Sequence, residues 1–337
     1  MFDPSTLAVP VVGAPMAGGP STPALTAAIS EAGGFGMLAG AYLSPDALRD
    51  QLAAVRALTD APFGVNLFVP EEIPLDADAF ARFRDLLLPL AHARGADLPS
   101  APAYTDDAFE TKVDVLLEED VTAVSFTFGA PAPEVYAAFT GFDIATITTV
   151  TTAAEARVAL DAGTSALCAQ GFEAGGHRST FGITDRDAQV GVRELVTAVT
   201  GLGVPVIASG GVSGVDDVRT LLAAGAAAVQ VGTLFLRTPE AGTRPAHRAA
   251  LADPRFTETA TTRAYSGRLA RALVNEYVRT FSAAAPPVYP QINALTGPLR
   301  RAAADDPEVI NLWAGTGWRG ARAISAADVV AALDPAR

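Results

Sequence analysis

One stretch of the chain carries residue types that could do chemistry: Ala169-Gln170-Gly171-Phe172-Glu173-Ala174-Gly175-Gly176-His177-Arg178-Ser179-Thr180-Phe181. It follows a short apolar run, Ser165 to Ala169, and carries a glycine pair followed directly by a histidine. Two adjacent glycines let the backbone approach a bound group and take positive φ. An imidazole exchanges protons near neutral pH. A strand end, a glycine turn and an imidazole compose an active-site loop, and equally a tight surface loop with a solvated histidine. Two other glycine-rich stretches, Gly210-Gly211 and Gly232-Thr233, follow apolar runs and suit a phosphate, which backbone N–H groups at a helix start would hold. Glycines at such turns also serve packing alone.

Other chemical side chains point elsewhere. The three histidines, His92, His177 and His247, are dispersed without metal-ligand spacing, so no metal site is expected. His92 and His247 fall in expected helices and read as surface residues. Cys168 lies within a strand and reads as packing. Ser209 has no histidine placed in sequence to form a triad. Asp216-Asp217 reads as a solvated first turn favoured by the helix dipole, and Glu118-Glu119-Asp120 as a surface run.

The elements that would position these groups alternate regularly. Apolar runs at Val9–Met16, Phe35–Gly40, Pro62–Phe68, Val121–Phe128, Phe142–Thr149, Ser165–Ala169, Pro205–Gly211 and Ala227–Thr233 read as strands. Between them lie helical patterns. Thr22-Pro23 and Ser44-Pro45 are starts, and Leu48, Leu52, Val55 and Leu58 share one face. The segment from Pro70 to Leu117 is longer than one helical return and holds two helices, Ala79–Arg94 and Asp107–Glu118. Eight buried-type strands with intervening helices predict an α/β fold, a (β/α)8 TIM barrel; an open doubly wound sheet is the alternative. The first strand lacks G-x-G-x-x-G, which disfavours a dinucleotide-binding open sheet. After Phe235 the pattern changes, and Pro254–Pro298 is rich in polar and turn residues. The expected organisation is a barrel over residues 1–240, a small accessory region over the barrel mouth at 241–300, and a returning segment at 301–337. A loose C-terminal extension is the other reading of the region after Phe235. Ser325–Leu333 reads as a closing helix.

Composition bounds the function. The 337 residues are 50% hydrophobic and 18% charged, a globular profile. Net charge is −13, with no basic run, so nucleic-acid binding is not expected. No apolar run reaches the roughly 18–20 residues of a membrane span, and Met1-Phe2-Asp3-Pro4 does not open a secretory signal. The single cysteine excludes an intrachain disulfide and fits a cytoplasmic setting. A homo-oligomer is left open.

In a barrel of this kind the active site lies at the C-terminal strand ends. Those ends are Pro15-Met16, Asn66, Thr127, Gln170–His177, Ser209–Gly211 and Gln230–Thr233. The chain resembles the nitronate monooxygenases, formerly called 2-nitropropane dioxygenases, over almost its whole length. The resemblance rests on Ala14-Pro15-Met16-Ala17-Gly18, Glu31-Ala32-Gly33-Gly34-Phe35-Gly36, Gly64-Val65-Asn66-Leu67-Phe68 and Val124-Ser125-Phe126-Thr127-Phe128-Gly129. It continues through Gln170-Gly171-Phe172-Glu173-Ala174-Gly175-Gly176-His177-Arg178, Ala208-Ser209-Gly210-Gly211-Val212 and Gln230-Val231-Gly232-Thr233. Thr262-Arg263-Ala264-Tyr265-Ser266-Gly267-Arg268 and Asn293-Ala294-Leu295-Thr296 complete it. It implies FMN as cofactor, with contacts at Met16, Asn66, Gln170, Gly175, Gly176, Gly211, Gly232 and Thr233. It implies His177 as the catalytic residue. Gly210 and Gln230 join the cofactor set by their place at strand ends, and Thr127 and Tyr289 are expected on the substrate side. Thr127, Ser179 and Thr316 depart from residues frequent in the family.

The implied reaction is FMN-dependent oxidation of alkyl nitronates, with nitroalkanes as further substrates, by O2 to a carbonyl compound and nitrite. His177 would hold the anion, if protonated or hydrogen-bonding, or take a proton from a neutral nitroalkane. The alternatives are an FMN-dependent enoyl-acyl-carrier-protein reductase, or another FMN oxidoreductase, using NAD(P)H, and a phosphate-ligand-binding barrel without catalysis.

Overall fold

The computed structural model describes residues 2–119, 121–185 and 187–337. Asp120, the last residue of the expected acidic surface run, lies outside them. In chain order the strands are β1 (Val11–Gly13), β2 (Gly36–Ala39), β3 (Phe63–Phe68), β4 (Ala123–Thr127), β5 (Ala145–Val150), β6 (Ala166–Gln170), β7 (Gly176–His177), β8 (Val206–Ser209), β9 (Ala228–Val231), β10 (Thr259–Thr262) and β11 (Ala270–Leu273). The helices are α1 (Pro23–Glu31), α2 (Pro45–Arg56), α3 (Ala77–Ala93), α4 (Phe109–Glu118), α5 (Pro133–Gly141), α6 (Ala153–Ala162), α7 (Val192–Val199), α8 (Val215–Ala223), α9 (Pro245–Ala250), α10 (Glu276–Phe281), α11 (Gln291–Ala302) and α12 (Ala326–Ala332).

Local chemistry sets the helix starts. The Thr22 hydroxyl accepts from Leu25 N at 3.0 Å, with Pro23 in the first helical position. Thr152 and Glu155 form a reciprocal capping box at α6. Asp217 accepts from the Ser213 amide at 2.7 Å, so it closes the turn before α8 as well as favouring the helix dipole.

Eight strands form one parallel sheet in the order β1-β9-β8-β6-β5-β4-β3-β2. The two ends meet: Gly13 N donates to Phe35 O and Phe35 N to Val11 O, both at 2.9 Å, beside a parallel Val12–Phe35 bridge. That closure makes a TIM barrel of the eight expected strands. The interior is packed with small and branched side chains, among them Val12, Ala123, Ile147, Cys168 and Ile207. Phe2 joins this cluster by stacking on Phe35 at 4.1 Å between ring centroids. Burial pushes the Cys168 thiol up to about 12, as suits a packing residue.

A second, antiparallel sheet runs β10-β11-β7, pairing Ala270 with His177 and Arg271 with Gly176. Here the structure corrects the expectation of an unpaired loop after β6. The edge of β11 presents backbone groups that need partners, and residues 176–177 supply them. The region Pro254–Pro298 is likewise no loose extension. Tyr265 is fully buried and stacks on Tyr277 at 4.5 Å, and both pack with Phe83 and Leu87 of α3 and Leu295 and Leu299 of α11. Val329, Val330 and Leu333, at and after α12, share a core with Leu25 and Ile29 of α1, which returns the chain's end to the barrel. Among the described residues no helix is long and apolar enough to cross a membrane.

Candidate active site

A cavity of about 390 Å³ opens at the C-terminal ends of the barrel strands. Its lining brings together Met16 after β1, Asn66 of β3, Thr127 of β4, Gln170 of β6, Gly175, Gly176 and His177, Gly210 and Gly211 after β8, and Gln230, Gly232 and Thr233 at β9. Tyr289 is the exception. It lines an adjacent cavity of about 130 Å³, its hydroxyl 3.3 Å from that of Tyr42 and its ring 6.2 Å from His177.

The glycine side of the cavity is close-built. Gly211 sits at φ +75°, and a Cβ there would lie 3.2 Å from Glu173 Cβ. A Cβ on Gly175 would lie 2.4 Å from the Gly315 amide nitrogen, so this crossing admits no side chain. Among the described residues, no protein acceptor takes the N–H of Gly211 or of Thr233. The Thr233 hydroxyl accepts from Gly315 N at 3.0 Å, which ties β9 to the loop after Trp313.

The amide side chains do different work. Asn66 donates to Ser125 Oγ at 2.9 Å and Thr127 Oγ1 at 3.0 Å, and its Oδ1 has no protein donor among the described residues. Gln170 is engaged at both ends: Nε2 donates to His177 O at 3.0 Å, while Oε1 accepts from Arg178 Nη1 at 2.9 Å and Ser179 N at 3.0 Å. Its side chain therefore holds the His177 segment in place. Gln230 Nε2 reaches Ser209 Oγ at 3.3 Å. Ser179 is fully buried and accepts from Phe128 N at 3.3 Å, which accounts for a hydroxyl at this position.

His177 is half-buried among Phe128, Phe68, Tyr289 and Trp313, with ring centroids 5.5 to 6.3 Å away. Its Nε2 lies 2.8 Å from Ser266 Oγ. Ser266 Oγ also donates to Arg268 O at 3.2 Å and accepts from Arg268 N at 3.3 Å, which fixes it beside the ring. In the neutral ring one nitrogen carries the proton and the other is left to accept one. Desolvation, then the charges of Arg268 and Arg300, lower the imidazole pKa to about 3. A ring so lowered is neutral near pH 7, where it can take up a proton or hydrogen-bond to an anion without itself carrying charge.

The positive charge nearby is unevenly compensated. Arg268, 2% exposed, pairs with Glu71 at 2.6 Å and lies 4.1 Å above the Phe128 ring. Arg300 lines the cavity and has no ion-pair partner among the described residues. His247, expected on the surface, is 6% exposed and also lines the cavity, with Nε2 3.0 Å from Trp313 O. The helical pattern of α9 located the residue but not which side faces inward. His92, by contrast, is exposed on α3. Sequence reasoning did not assign Ser266, Arg268, Arg300 or Trp313 to the site. The Thr262–Arg268 stretch was a signal for the first two; nothing local distinguishes Arg300.

The nitronate monooxygenase family model matches residues 4–335. The chain belongs to the nitronate monooxygenase family. A nitronate monooxygenase of Pseudomonas aeruginosa is 39% identical, the match covering 96% of this chain and 95% of that one. The crystal structure of nitroalkane oxidase from Streptomyces ansochromogenes superposes with a TM-score of 0.95 at 40% identity, covering 99% of this chain and 97% of that one. FabK from Thermotoga maritima shares the architecture at lower similarity, with a TM-score of 0.75, 26% identity, and coverage of 97% and 92%. The family's members thus match through the barrel and through the elements that cover its mouth.

Proposed function

We propose that this protein is an FMN-dependent oxidoreductase that oxidises alkyl nitronates, and nitroalkanes after deprotonation, with O2 to a carbonyl compound and nitrite. The observation that carries the reading is the His177 imidazole, 2.8 Å from Ser266 Oγ, in a glycine-lined cavity of a nitronate monooxygenase family barrel.

The residues present fit FMN. The unpaired N–H groups of Gly211 and Thr233 suit a phosphate. Gly175 and Gly232 line the cavity without side chains, and Met16, Asn66, Gly176, Gly210 and Gln230 would line a flat ring system there beside Gln170. Bound FMN would supply the electron acceptor and the reaction with O2. The chain supplies the rest. His177 accepts the α-proton of a neutral nitroalkane, and the nitronate formed beside it offsets the charge of the imidazolium. A pre-formed nitronate bypasses that step. Phe68, Phe128 and Trp313 keep water from the base, and Thr127 and Tyr289 shape the substrate side. In this reading residues 1–240 hold the cofactor, 241–300 cover the substrate with help from α3, and 301–337 return to the barrel. A small-molecule substrate, O2 and a cytoplasmic setting complete it.

The test is an absorption spectrum of the purified protein followed by a nitrite assay with ethyl nitronate and O2. A flavin spectrum with nitrite release is expected. A colourless protein that takes up no FMN would favour a non-catalytic barrel, and NAD(P)H oxidation without nitrite release would favour a nicotinamide-dependent reductase.

A further inference from the structure

An anionic substrate in this cavity calls for a fixed positive charge beside it. The cavity's cationic candidates separate by their partners. Arg268 is neutralised by Glu71 and donates to Thr180 O at 2.7 Å. Arg244 is exposed at the rim, with Nη1 donating to Arg300 O at 3.1 Å. Arg300 is half-buried and lines the cavity, and among the described residues no carboxylate pairs with it.

The Arg300 guanidinium is fixed from one side only. Nε donates to Thr296 Oγ1 at 3.2 Å, and Nη2 to Asn293 O at 3.0 Å and Asn293 Oδ1 at 2.8 Å. Thr296 is itself fully buried and donates to Tyr265 O at 2.5 Å, so the anchor does not swing. Nη1 has no protein acceptor among the described residues. A guanidinium held in one orientation, with a free N–H edge and no counter-ion, is a pre-organised receptor for a small planar oxyanion. It also lies near enough to His177 for its charge to help keep that ring neutral.

We propose that Arg300 is the anion-binding residue of the cavity and receives a nitronate oxygen through Nη1. This rests on the functional reading above. It divides the labour: His177 handles the proton, and Arg300 holds the charge that deprotonation creates. A planar nitronate presents two oxygens that share its charge, and a neutral nitroalkane presents less charge to the same donor. The cofactor phosphate is the other oxyanion that a free guanidinium could serve, and the experiment separates the two.

The experiment compares Arg300→Gln and Arg300→Lys with the wild-type holoenzyme. It reads flavin occupancy by absorbance, kcat and KM for ethyl nitronate and nitroethane, and nitrate binding by calorimetry. Arg300→Gln is expected to raise KM for ethyl nitronate and Kd for nitrate by about 10- to 100-fold, the scale of one hydrogen bond to a charged group. KM for nitroethane moves less, flavin stays bound, and Arg300→Lys recovers part of the loss. Unchanged nitronate KM and nitrate Kd would overturn the proposal and leave Arg300 as a structural anchor of α11. Loss of flavin from Arg300→Gln would also overturn it, assigning the guanidinium to the phosphate. A wild type that binds nitrate through Arg300 but releases no nitrite from any nitronate would sink the functional reading while leaving the anion site standing.

Discussion

Burial removes the charge from both cavity histidines. For His247, desolvation lowers the pKa from 6.5 to about 4, against a smaller opposing effect of the Trp313 carbonyl. In the unfolded chain each imidazole takes up a proton near its ordinary value; folded, neither does until well below it. Between those values the unfolded state binds more protons, so stability falls as pH drops from 6.5 and levels off below about 4 for His247. His247 alone should cost about 2 kcal/mol by pH 5. Thermal unfolding at pH 7, 6 and 5 checks this: His247→Gln should show a shallower fall in Tm than wild type, and an identical fall would remove His247 as a source. At this scale the sequence was informative where chemistry and backbone coincide. Gly175-Gly176-His177 is legible only with the rest of the chain, because the stretch alone reads equally as a surface loop and the strand ends around it place it at a barrel mouth. His247 was not legible, because its partner carbonyl is 66 residues away. Tyr289 was placed only approximately, beside His177 but on the neighbouring cavity.

The glycine turns belong to elements as much as to residues. Gly211 links β8 to α8 in a left-handed backbone conformation that side chains rarely adopt, against Glu173. Gly211→Asp adds bulk, a second carboxylate near Glu173, and negative charge where a phosphate is proposed. The barrel is expected to fold, since its strands and core are untouched, but to purify with at least about tenfold less flavin, a loss of roughly 1.4 kcal/mol or more in binding. Circular dichroism with the flavin-to-protein absorbance ratio reads both, and full flavin content would exclude Gly211 from the phosphate site. The barrel strands were legible because buried parallel strands are continuous apolar runs between turn residues. β10, β11 and β7 were not, because they are short, carry threonines and arginines, and gain order only by pairing with one another. α11 was obscured by Pro298, which reads as a breaker yet lies inside the helix.

At the scale of the molecule, a closed barrel supplies a rigid rim of strand ends, and a separately packed cover brings Ser266, Arg268 and Arg300 down onto it. That cover recruits α3 from the long insertion between β3 and β4, a partnership no local pattern reveals. The result places the His177 imidazole of β7 beneath side chains from the region after Phe235, so the cavity is complete only when both parts are folded together. In the proposed reaction His177 serves as the base toward neutral nitroalkanes and is dispensable for nitronates. The measurement is nitrite release from nitroethane and from ethyl nitronate by wild type and His177→Asn, with flavin occupancy recorded in each. The variant is expected to keep its flavin, to lose roughly 10²- to 10⁴-fold on nitroethane, and to stay within about tenfold of wild type on the nitronate. Equal rates on nitroethane with flavin intact, or a wild type inactive on nitroethane, would contradict it.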